Sequence, residues 1–384
     1  MKIIVLGAGR MGLGAAYDLA HNSPDVTAIT IADADAEKVR QVVRQVDSHI
    51  LGGVTLDVSD YAATVQLLRG HDAAISCVNY WHNEQLARAC IEAGVNFCDL
   101  GGNNAVVDAE LALDAEARAA GVNIIPDCGL APGMVSVLAA HGAARFTHLN
   151  EIHIRVGGLP QKPEPPLNYQ IVFSPEGLIN EYIEPARVIR GGKIVEVAPM
   201  TELERLEFPP PYGTLEAFQT SGGTSTLPDT FLGKVRELDY KTLRYPGHCE
   251  QFKLLLDLGL ASSEPIATDG VTVSPRRVLN EVLLKNLPTD GPDLVFVQLV
   301  FRGLIEGLNR VLRYIIIDRY DETTGLSSMM RTTAFPASII AQMMARGDTA
   351  QRGAVPQELC IPPQAFVDEL ARRGIIIRET VNVE

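Results

Sequence analysis

The 384-residue chain lacks the features that mark membrane, secreted and nucleic-acid-binding proteins. No apolar run approaches the roughly 18 to 20 residues of a membrane-spanning helix, and the short apolar stretch after Met1 lacks the length of a secretion signal. Lys and Arg number 33 against 47 Asp and Glu, and this net charge of -14 does not favour binding to nucleic-acid phosphates. The sequence therefore predicts a cytoplasmic protein with no membrane and no nucleic-acid partner.

The chain also lacks closely spaced cysteines. Its six cysteines stand at positions 77, 90, 98, 128, 249 and 360, without a CxxC pair or an alternating Cys/His pattern. Structural zinc sites need such close ligand pairs, so we expect no metal. Scattered cysteines in a chain without an export signal predict reduced thiols that are mostly buried.

What the sequence does contain is a regular alternation of strands and helices over the first 130 residues, which predicts a doubly wound parallel α/β sheet. The strand candidates are residues 2–6, 27–32, 53–56, 73–77, 96–99 and 123–126. The helix candidates are residues 11–22, 34–45, 61–68, 82–93 and 107–120. Each strand is short and apolar, as expected when helices cover both faces of the sheet.

The first predicted strand runs directly into a G-x-G-x-x-G motif. Gly7 allows a tight turn, Gly9 lets the backbone approach a pyrophosphate, and Gly12 lets the following helix pack close to the strand. Arg10 and Met11 occupy the first helical turn, where free N–H groups and the positive end of the helix dipole attract phosphate. The context predicts a Rossmann-type dinucleotide site.

Asp33 ends the second strand, 21 residues after the last glycine of the motif. A carboxylate there accepts both hydroxyls of the adenosine ribose and repels a 2′-phosphate. Residues 34–36 (ADA) supply no arginine for that phosphate, so the predicted cofactor is NAD. The alternative is an unrelated glycine turn in which Asp33 caps a helix.

Two further loops follow predicted strands and are assigned to the same cofactor. Asp57 and Val58 end the third strand, where they would hold the adenine, although Asp57 could instead cap the next helix. Cys77, Val78 and Asn79 follow the fourth strand, on the ribose and nicotinamide side.

The length of the chain predicts at least two domains. We expect a Rossmann domain over residues 1–130, a substrate-binding and dimerisation domain over 131–331, and C-terminal helices over 332–384 that return to the first domain. Strand candidates in the second domain predict a mostly antiparallel mixed sheet. They are residues 151–157, 192–198, 236–243, 294–302 and 311–319.

Several segments together resemble the saccharopine dehydrogenase-like family, and within it the lysine 6-dehydrogenase group. They are residues 99–102 (DLGG), 127–134 (DCGLAPGM), 220–226 (TSGGTST), 241–248 (KTLRYPGH), 331–334 (RTTA), 352–353 (RG) and Pro356. The resemblance covers nearly the whole chain. It implies a Rossmann domain, an α/β substrate domain that dimerises, and NAD-linked chemistry at a carbon that bears an amine.

For the lysine group the resemblance implies oxidative deamination of the ε-carbon of L-lysine. The product would be the 6-semialdehyde, which cyclises to piperideine-6-carboxylate, with release of ammonia. One alternative is a saccharopine or carboxynorspermidine type of dehydrogenase, which acts on a secondary amine. Another is a relative that binds NAD without turnover.

Such a reaction needs a base, because an ammonium cannot release a hydride until it has lost a proton. The candidates are Asp127, His248 and Asp99. Asp127 could instead cap the next helix, and Asp99 could instead hold a tight turn. His248 follows a Pro-Gly turn that we expect to expose it, with a pKa suited to proton transfer near neutrality, although a buried structural role is equally compatible.

An amino-acid substrate also needs its carboxylate fixed, which a planar guanidinium does with two hydrogen bonds. Arg244 is the first choice, and Lys241 and Tyr80 are weaker candidates for the same pocket. The Ser/Thr/Gly run 220–226 lacks the lysine of a phosphate loop and no clear helix follows it, so we interpret it as a flexible cleft or interface loop.

Overall fold

The computed structural model describes residues 1–383, which form eighteen β-strands and fourteen α-helices. The strands are β1 (Lys2–Leu6), β2 (Ala28–Asp33), β3 (Leu51–Thr55), β4 (Ala73–Ser76), β5 (Asn96–Asp99), β6 (Asn123–Ile125), β7 (His148–Pro160), β8 (Ala186–Arg190), β9 (Lys193–Val197), β10 (Glu204–Phe208), β11 (Gly213–Gln219), β12 (Glu237–Arg244), β13 (Ile266–Thr268), β14 (Val271–Val273), β15 (Asp293–Ile305), β16 (Leu308–Arg319), β17 (Gly353–Ala354) and β18 (Arg378–Val383). The helices are α1 (Arg10–His21), α2 (Ala36–Val46), α3 (Tyr61–Leu68), α4 (Asn83–Ala93), α5 (Asn104–Leu111), α6 (Asp114–Ala120), α7 (Met134–Ala143), α8 (Pro175–Ile183), α9 (Leu227–Phe231), α10 (His248–Asp257), α11 (Pro275–Asn286), α12 (Ser328–Arg346), α13 (Gln357–Cys360) and α14 (Pro363–Arg372).

The first of two compact units comprises Met1–Arg145, Ser225–Thr230 and Met330–Ile377. Its seven-stranded sheet has the order β17-β6-β5-β4-β1-β2-β3, and every pairing is parallel. The strands that precede the predicted cofactor loops end in register at one edge. Leu6 of β1 pairs with Ala32 of β2 and with Ser76 of β4. The prediction of a doubly wound parallel sheet is confirmed.

Local sequence explains the elements of this unit. All residues of β1 after Lys2 are buried, as expected for the centre of a sheet covered on both faces. On α2 the valines at 39, 42 and 46 recur at helical spacing and are buried, while Asp35 caps the helix by accepting from two N–H groups. Every residue of β3 after Leu51 is exposed, although we expected apolar strands covered on both faces. The reason is that β3 is the outermost strand of the sheet.

The second unit comprises Phe146–Thr224, Phe231–Met329 and the chain from Arg378 onward. Its nine-stranded sheet follows the order β10-β11-β12-β7-β15-β16-β18, and β8 and β9 join beside β12. Pairing is antiparallel throughout except between β12 and β7. The predicted mostly antiparallel mixed sheet is confirmed. A separate two-stranded hairpin, β13-β14, belongs to the same unit.

The two units divide the chain differently from the domain limits expected from the sequence. The first unit extends to Arg145 rather than to residue 130, because the apolar helix α7 packs on α13 and α14 of the same unit. At the C-terminal end, Met330–Ile377 belongs to the first unit, but β18 pairs with β16 in the second. The predicted helix over 107–120 is split into α5 and α6.

Within residues 1–383, no helix combines the length and apolar character needed to cross a bilayer. The same residues contain no group of three or more His, Cys, Asp or Glu side chains that could hold a metal ion. All six cysteines are free thiols, and five of them are buried.

Candidate active site

The glycine motif forms the turn between β1 and α1. Gly7 has a φ of +105°, and a Cβ there would lie 2.7 Å from the carbonyl oxygen of Cys77, so only glycine fits. By contrast, the space around Gly9 is open, with no atom within 4 Å of where its Cβ would stand. No side chain caps the N-terminus of α1. An open space beside an uncapped helix start fits the pyrophosphate of a dinucleotide.

Asp33 is held against this turn by main-chain hydrogen bonds. Its Oδ2 accepts from the N–H of Ala8 at 2.7 Å, and its Oδ1 accepts from the N–H of Asp35 at 2.9 Å. Asp35, not Asp33, caps α2, so the cap alternative for Asp33 is wrong. Each carboxylate oxygen retains a lone pair that a ribose hydroxyl could use.

The other predicted cofactor residues lie at the same sheet edge. Exposed Asp57 accepts from the N–H of Ser59 at 2.9 Å and from its hydroxyl at 2.7 Å, and these bonds lower the pKa of Asp57. Asp60 caps α3, so Asp57 does not. The remaining residues vary in exposure: Val58 is buried, Met11, Cys77 and Val78 are half-buried, and Arg10 and Asn79 are exposed.

Asp99 and Asp127 come together where β5 and β6 end. Both are buried, and Oδ1 of Asp99 accepts from the N–H of Gly101 at 2.6 Å and from that of Asp127 at 3.3 Å. Burial raises the pKa of Asp99 to about 6. Burial and the neighbouring charge of Asp99 raise the pKa of Asp127 to about 8. The N-cap of α7 is Gly133, so the interpretation of Asp127 as a helix cap is wrong.

A third acid of this cluster, Glu110, was not identified from the sequence. It lies on α5 and is completely buried, one helical turn after buried Val107. Burial and the charge of Asp99 raise the pKa of Glu110 to about 11, so it holds a proton at neutral pH. Oδ2 of Asp99 and both carboxyl oxygens of Glu110 are buried without a hydrogen-bond partner among the described residues. The signal in the sequence that could have identified Glu110 is its place on the apolar face of a predicted helix.

Ser225 is a second residue that the sequence did not single out. Its hydroxyl donates a hydrogen bond to Oδ2 of Asp127, 98 positions earlier in the chain. Both residues have left-handed backbones, with φ of +41° for Ser225 and +62° for Asp127. Such conformations are costly away from glycine and cluster at functional sites.

The Ser/Thr/Gly run that contains Ser225 is not the flexible loop we expected. Its hydroxyl residues are buried, and α9 follows it directly. Glu358 accepts from the hydroxyl of Thr226 at 2.8 Å and from that of Thr230 at 2.7 Å. These bonds fix Ser225–Thr230 within the first unit.

In the second unit, Arg244 ends β12 and is only 3% exposed. Its Nε donates to the hydroxyl of Tyr182 at 2.9 Å, and its Nη1 donates to the carbonyl of Leu243 at 2.9 Å. The guanidinium also lies over the ring of Tyr169, 4.9 Å from its centroid. All of these partners are neutral.

The other buried arginines differ from Arg244 in this respect. Among residues 1–383 there are four buried arginines, and three are ion-paired: Arg155 with Asp239 at 2.9 Å, Arg276 with Glu176 at 2.6 Å, and Arg373 with Asp18 at 2.7 Å. Arg244 has no such carboxylate among the described residues. A buried guanidinium without an anion is suited to bind the carboxylate of a ligand.

His248 lies behind Arg244 rather than at the surface. It is 1% exposed, so the expectation that the Pro-Gly turn exposes it is wrong. Burial and the charge of Arg244 lower the pKa of His248 to about 3. Neutral His248 therefore donates from Nδ1 to the carbonyl of Leu167 (3.0 Å) and accepts at Nε2 from Tyr182 (3.0 Å). It orients Tyr182, whose oxygen accepts from Arg244.

The weaker candidates are Lys241 in the second unit and Tyr80 in the first. Lys241 stands three positions before Arg244 on β12 and faces the opposite side of the sheet. There it donates to the carbonyl of Glu202 at 2.7 Å and lies 3.5 Å from Glu204. Tyr80 belongs to the first unit, where its side chain lies 3.0 Å from the position that a Cβ on Gly102 would occupy.

Comparison with known proteins agrees with this architecture. The family model described as the saccharopine dehydrogenase C-terminal domain matches residues 129–375. The chain belongs to the saccharopine dehydrogenase family. A second model, the saccharopine dehydrogenase NADP binding domain, matches residues 3–125, so the family's dinucleotide-binding domain lies in the first unit.

The similar proteins differ in length and in sequence. The mitochondrial alpha-aminoadipic semialdehyde synthase of Rattus norvegicus is 25% identical over 68% of this chain, which spans only 29% of that protein. The carboxynorspermidine synthase of Vibrio cholerae is 23% identical over 98% of this chain and 96% of its own length. The apo saccharopine dehydrogenase (L-Glu forming) of Saccharomyces cerevisiae has the same fold, with a TM-score of 0.81, 19% identity and full coverage of both chains.

Proposed function

We propose that this member of the saccharopine dehydrogenase family is an NAD-dependent enzyme that oxidatively deaminates the ε-amine of L-lysine. The product would be the 6-semialdehyde, which cyclises to piperideine-6-carboxylate, and ammonia would be released. The observation that carries the proposal is Arg244, a buried guanidinium that forms no ion pair with any carboxylate of the described residues. A substrate carboxylate would supply the missing anion.

The preference for NAD rests on Asp33. The matching family domain is described as NADP-binding, and a homospermidine synthase structure from Legionella pneumophila, which shares the fold at a TM-score of 0.66, is a complex with NAD. In this chain a carboxylate stands where a 2′-phosphate would have to fit, and residues 34–36 contain no cation to receive it. Repulsion between these anions favours NAD.

The acidic cluster would manage the proton of the substrate amine. Asp127 in its carboxylate form would take the proton from the ε-ammonium, and bound NAD supplies the hydride acceptor. The hydroxyl of Ser225 fixes one carboxylate oxygen of Asp127 and stabilises the ionised form. Protonated Glu110 leaves the cluster with less negative charge, which makes ionisation of Asp127 less costly.

One observation favours a second candidate, a dehydrogenase of the carboxynorspermidine type. The Vibrio cholerae synthase matches along 98% of this chain and 96% of its own length, whereas the semialdehyde synthase matches over a fraction of its length. Such an enzyme would act on a secondary amine. Saccharopine itself carries several carboxylates, and Arg244 is the single buried arginine of residues 1–383 left without one.

The deciding experiment follows NADH absorbance and free ammonia after the purified protein is mixed with NAD and L-lysine. We expect NADH and ammonia to rise together in equal amounts. NADH formed only from saccharopine or carboxynorspermidine would move the assignment to the second candidate. NAD binding without NADH from any of these amines would indicate a relative that has lost turnover.

The resemblance to the family also supports a homodimer in solution. Light scattering during size-exclusion chromatography should give about twice the 41.5 kDa chain mass, and a mass equal to one chain would contradict this expectation.

A further inference from the structure

Gln357 lies beside Asp127, although 230 positions separate the two residues in the chain. The reason is the sheet of the first unit, in which β17 pairs in parallel with β6. Ala354 of β17 is the partner of Ile124 of β6, and three residues later both strands have ended at the same edge. There Nε2 of Gln357 donates to the main-chain carbonyl of Asp127 at 2.9 Å. Helix α13 therefore begins next to the proposed base.

The next residue of α13, Glu358, holds the segment that contains Ser225. Glu358 is buried, and its Oε1 accepts from the hydroxyl of Thr226 at 2.8 Å and from that of Thr230 at 2.7 Å. Thr226 directly follows Ser225, and its carbonyl accepts from the N–H of Thr230 at 3.0 Å where α9 begins. One carboxylate oxygen of Glu358 therefore fixes both ends of the helical turn that follows Ser225.

Ser225 needs this support because its own backbone conformation is costly. Its φ of +41° lies in the left-handed region, which residues other than glycine keep only where surrounding contacts hold them. From this position the hydroxyl of Ser225 donates to Oδ2 of Asp127. Without the bond between Thr226 and Glu358, we expect Ser225 to relax to an ordinary backbone conformation and to lose its hydrogen bond to Asp127.

The buried carboxylate of Glu358 is unfavourable for stability, because its Oε2 has no hydrogen-bond partner among residues 1–383. Burial and the charges of Asp99 and Glu358 raise the pKa of Asp127, whereas the hydroxyl of Ser225 lowers it. Glu110, the third acid of the cluster, holds a proton and adds no charge. The charge of Glu358 therefore opposes ionisation of Asp127, while its bonds to the two threonines favour ionisation through Ser225. The two effects have opposite signs, so substitutions can separate them.

We propose that Glu358 is a positioning residue for Asp127. Through its bonds to the two threonines it keeps the hydroxyl of Ser225 on the carboxylate of Asp127, and this hydroxyl stabilises the basic form. The inference deepens the proposed function and rests on the role of Asp127 as the base. It requires only groups of the first unit.

The test measures the ionisation of Asp127 directly, so that it does not depend on turnover. The full chain is labelled with carbon-13 at the carboxyl carbon of aspartate, and Asp127→Asn identifies the signal of Asp127 in the NMR spectrum. The midpoint of the pH titration of this signal is then compared among variants. Ser225→Ala should raise the midpoint by about 1 to 2 pH units, because the ionised form of Asp127 loses a hydrogen bond.

Two substitutions of Glu358 separate its hydrogen bonds from its charge. Glu358→Gln removes the charge but keeps an oxygen that can accept from both threonines, so the midpoint should not rise. Glu358→Met removes the charge and the acceptor, so its midpoint should lie about 1 to 2 pH units above that of Glu358→Gln. In a Ser225→Ala background the two variants should have the same midpoint, because no hydroxyl is left to position.

Thr226→Val tests the same link without a change at Glu358, in case Glu358→Met does not fold. It should raise the midpoint, and Thr226→Ser, which keeps the hydroxyl, should restore the wild-type value. Thr214→Val is the matched control. It removes a similar bond, in which the hydroxyl of Thr214 donates to Glu207 at 2.7 Å in the second unit, and it should leave the midpoint unchanged.

Equal midpoints for Glu358→Met and Glu358→Gln would overturn the inference, and so would a Thr226→Val protein that titrates like Thr226→Ser. These outcomes are separate from the turnover assay. If the midpoints differ as expected but lysine yields no NADH, the positioning role stands and the proposed reaction fails. If lysine yields NADH but the midpoints do not differ, the reaction stands and the positioning role fails.

Discussion

Two buried arginines of the second unit allow substrate binding to be separated from stability by matched substitutions. Arg155 on β7 contacts Asp239 at 2.9 Å and also pairs with Glu204, whereas Arg244 on β12 has only neutral partners. We predict that Arg155→Met destabilises the protein without a direct effect on substrate affinity. We predict the reverse for Arg244→Met, which should keep the fold and lose affinity for lysine.

The change in stability and in affinity depends on which charged group loses its partner in each variant. Burial alone would raise the pKa of Asp239, but bonds from His153 and Arg155 hold it well below its usual range. Arg155→Met takes away one of these cations, and breaking a buried ion pair costs about 3–5 kcal/mol. His153 and Arg190 remain bonded to Asp239, so we expect the lower end, about 3 kcal/mol. In a unit of this size that loss lowers Tm by about 6–12 °C.

Arg244→Met breaks no ion pair of the described residues. Tyr182 keeps its hydrogen bond to His248, and removal of a buried charge that has no ion-pair partner also removes its desolvation penalty. Tm should therefore be unchanged or higher. The substrate carboxylate, however, would lose its cation, which costs at least about 2 kcal/mol, or about 30-fold in KM for lysine.

Differential scanning calorimetry and initial rates of NADH formation check both variants. The opposite result would be an Arg244→Met protein that melts as low as Arg155→Met while its KM for lysine stays at the wild-type value. That result would make Arg244 a structural residue and would move the carboxylate site elsewhere.

Three further predictions concern the first unit. Asp33→Ser should raise KM for NAD and spare or lower KM for NADP, because the repelling carboxylate is removed; unchanged cofactor preference in steady-state kinetics would show that Asp33 does not contact the ribose. Burial raises the pKa of Asp127 to about 8, so its basic form increases with pH, and kcat/KM should rise through pH 8. Asp127→Asn should lower kcat by about 10²- to 10⁴-fold and abolish that rise, and a variant with the wild-type pH profile would exclude Asp127 as the base. Asp18→Ala removes the 2.7 Å partner of buried Arg373, which keeps its ion pair with Glu369, and should cost about 3 kcal/mol of stability in chemical denaturation, with KM for lysine unchanged.

The sequence predicted those parts of the site that depend on local order along the chain. A glycine motif after a strand, and carboxylates where strands end, are positioned by the parallel sheet itself, since the carboxyl ends of its strands meet at one edge. This is why the turn at Gly7, the carboxylate of Asp33 and the Asp99–Asp127 pair could be placed from the amino-acid sequence alone.

The errors have a different physical origin. Lys241 and Arg244 lie in one segment, but alternation along β12 places them on opposite faces, and this could be known only from the exact limits of the strand. His248 follows a turn whose sequence suggests exposure, yet packing of Tyr169, Tyr182 and Phe252 around its ring buries it. Tertiary packing, which a local pattern does not contain, decides the second case.

The residues that the sequence missed share one property, which is that each is unfavourable in its surroundings. Glu110 is a carboxyl within an apolar helix face, and Ser225 has a left-handed backbone. Packing alone would favour an apolar residue and a glycine at these positions. Their presence in the cluster of Asp99 and Asp127 is therefore better explained by chemistry than by stability, because proteins depart from local rules of folding mainly where function requires it.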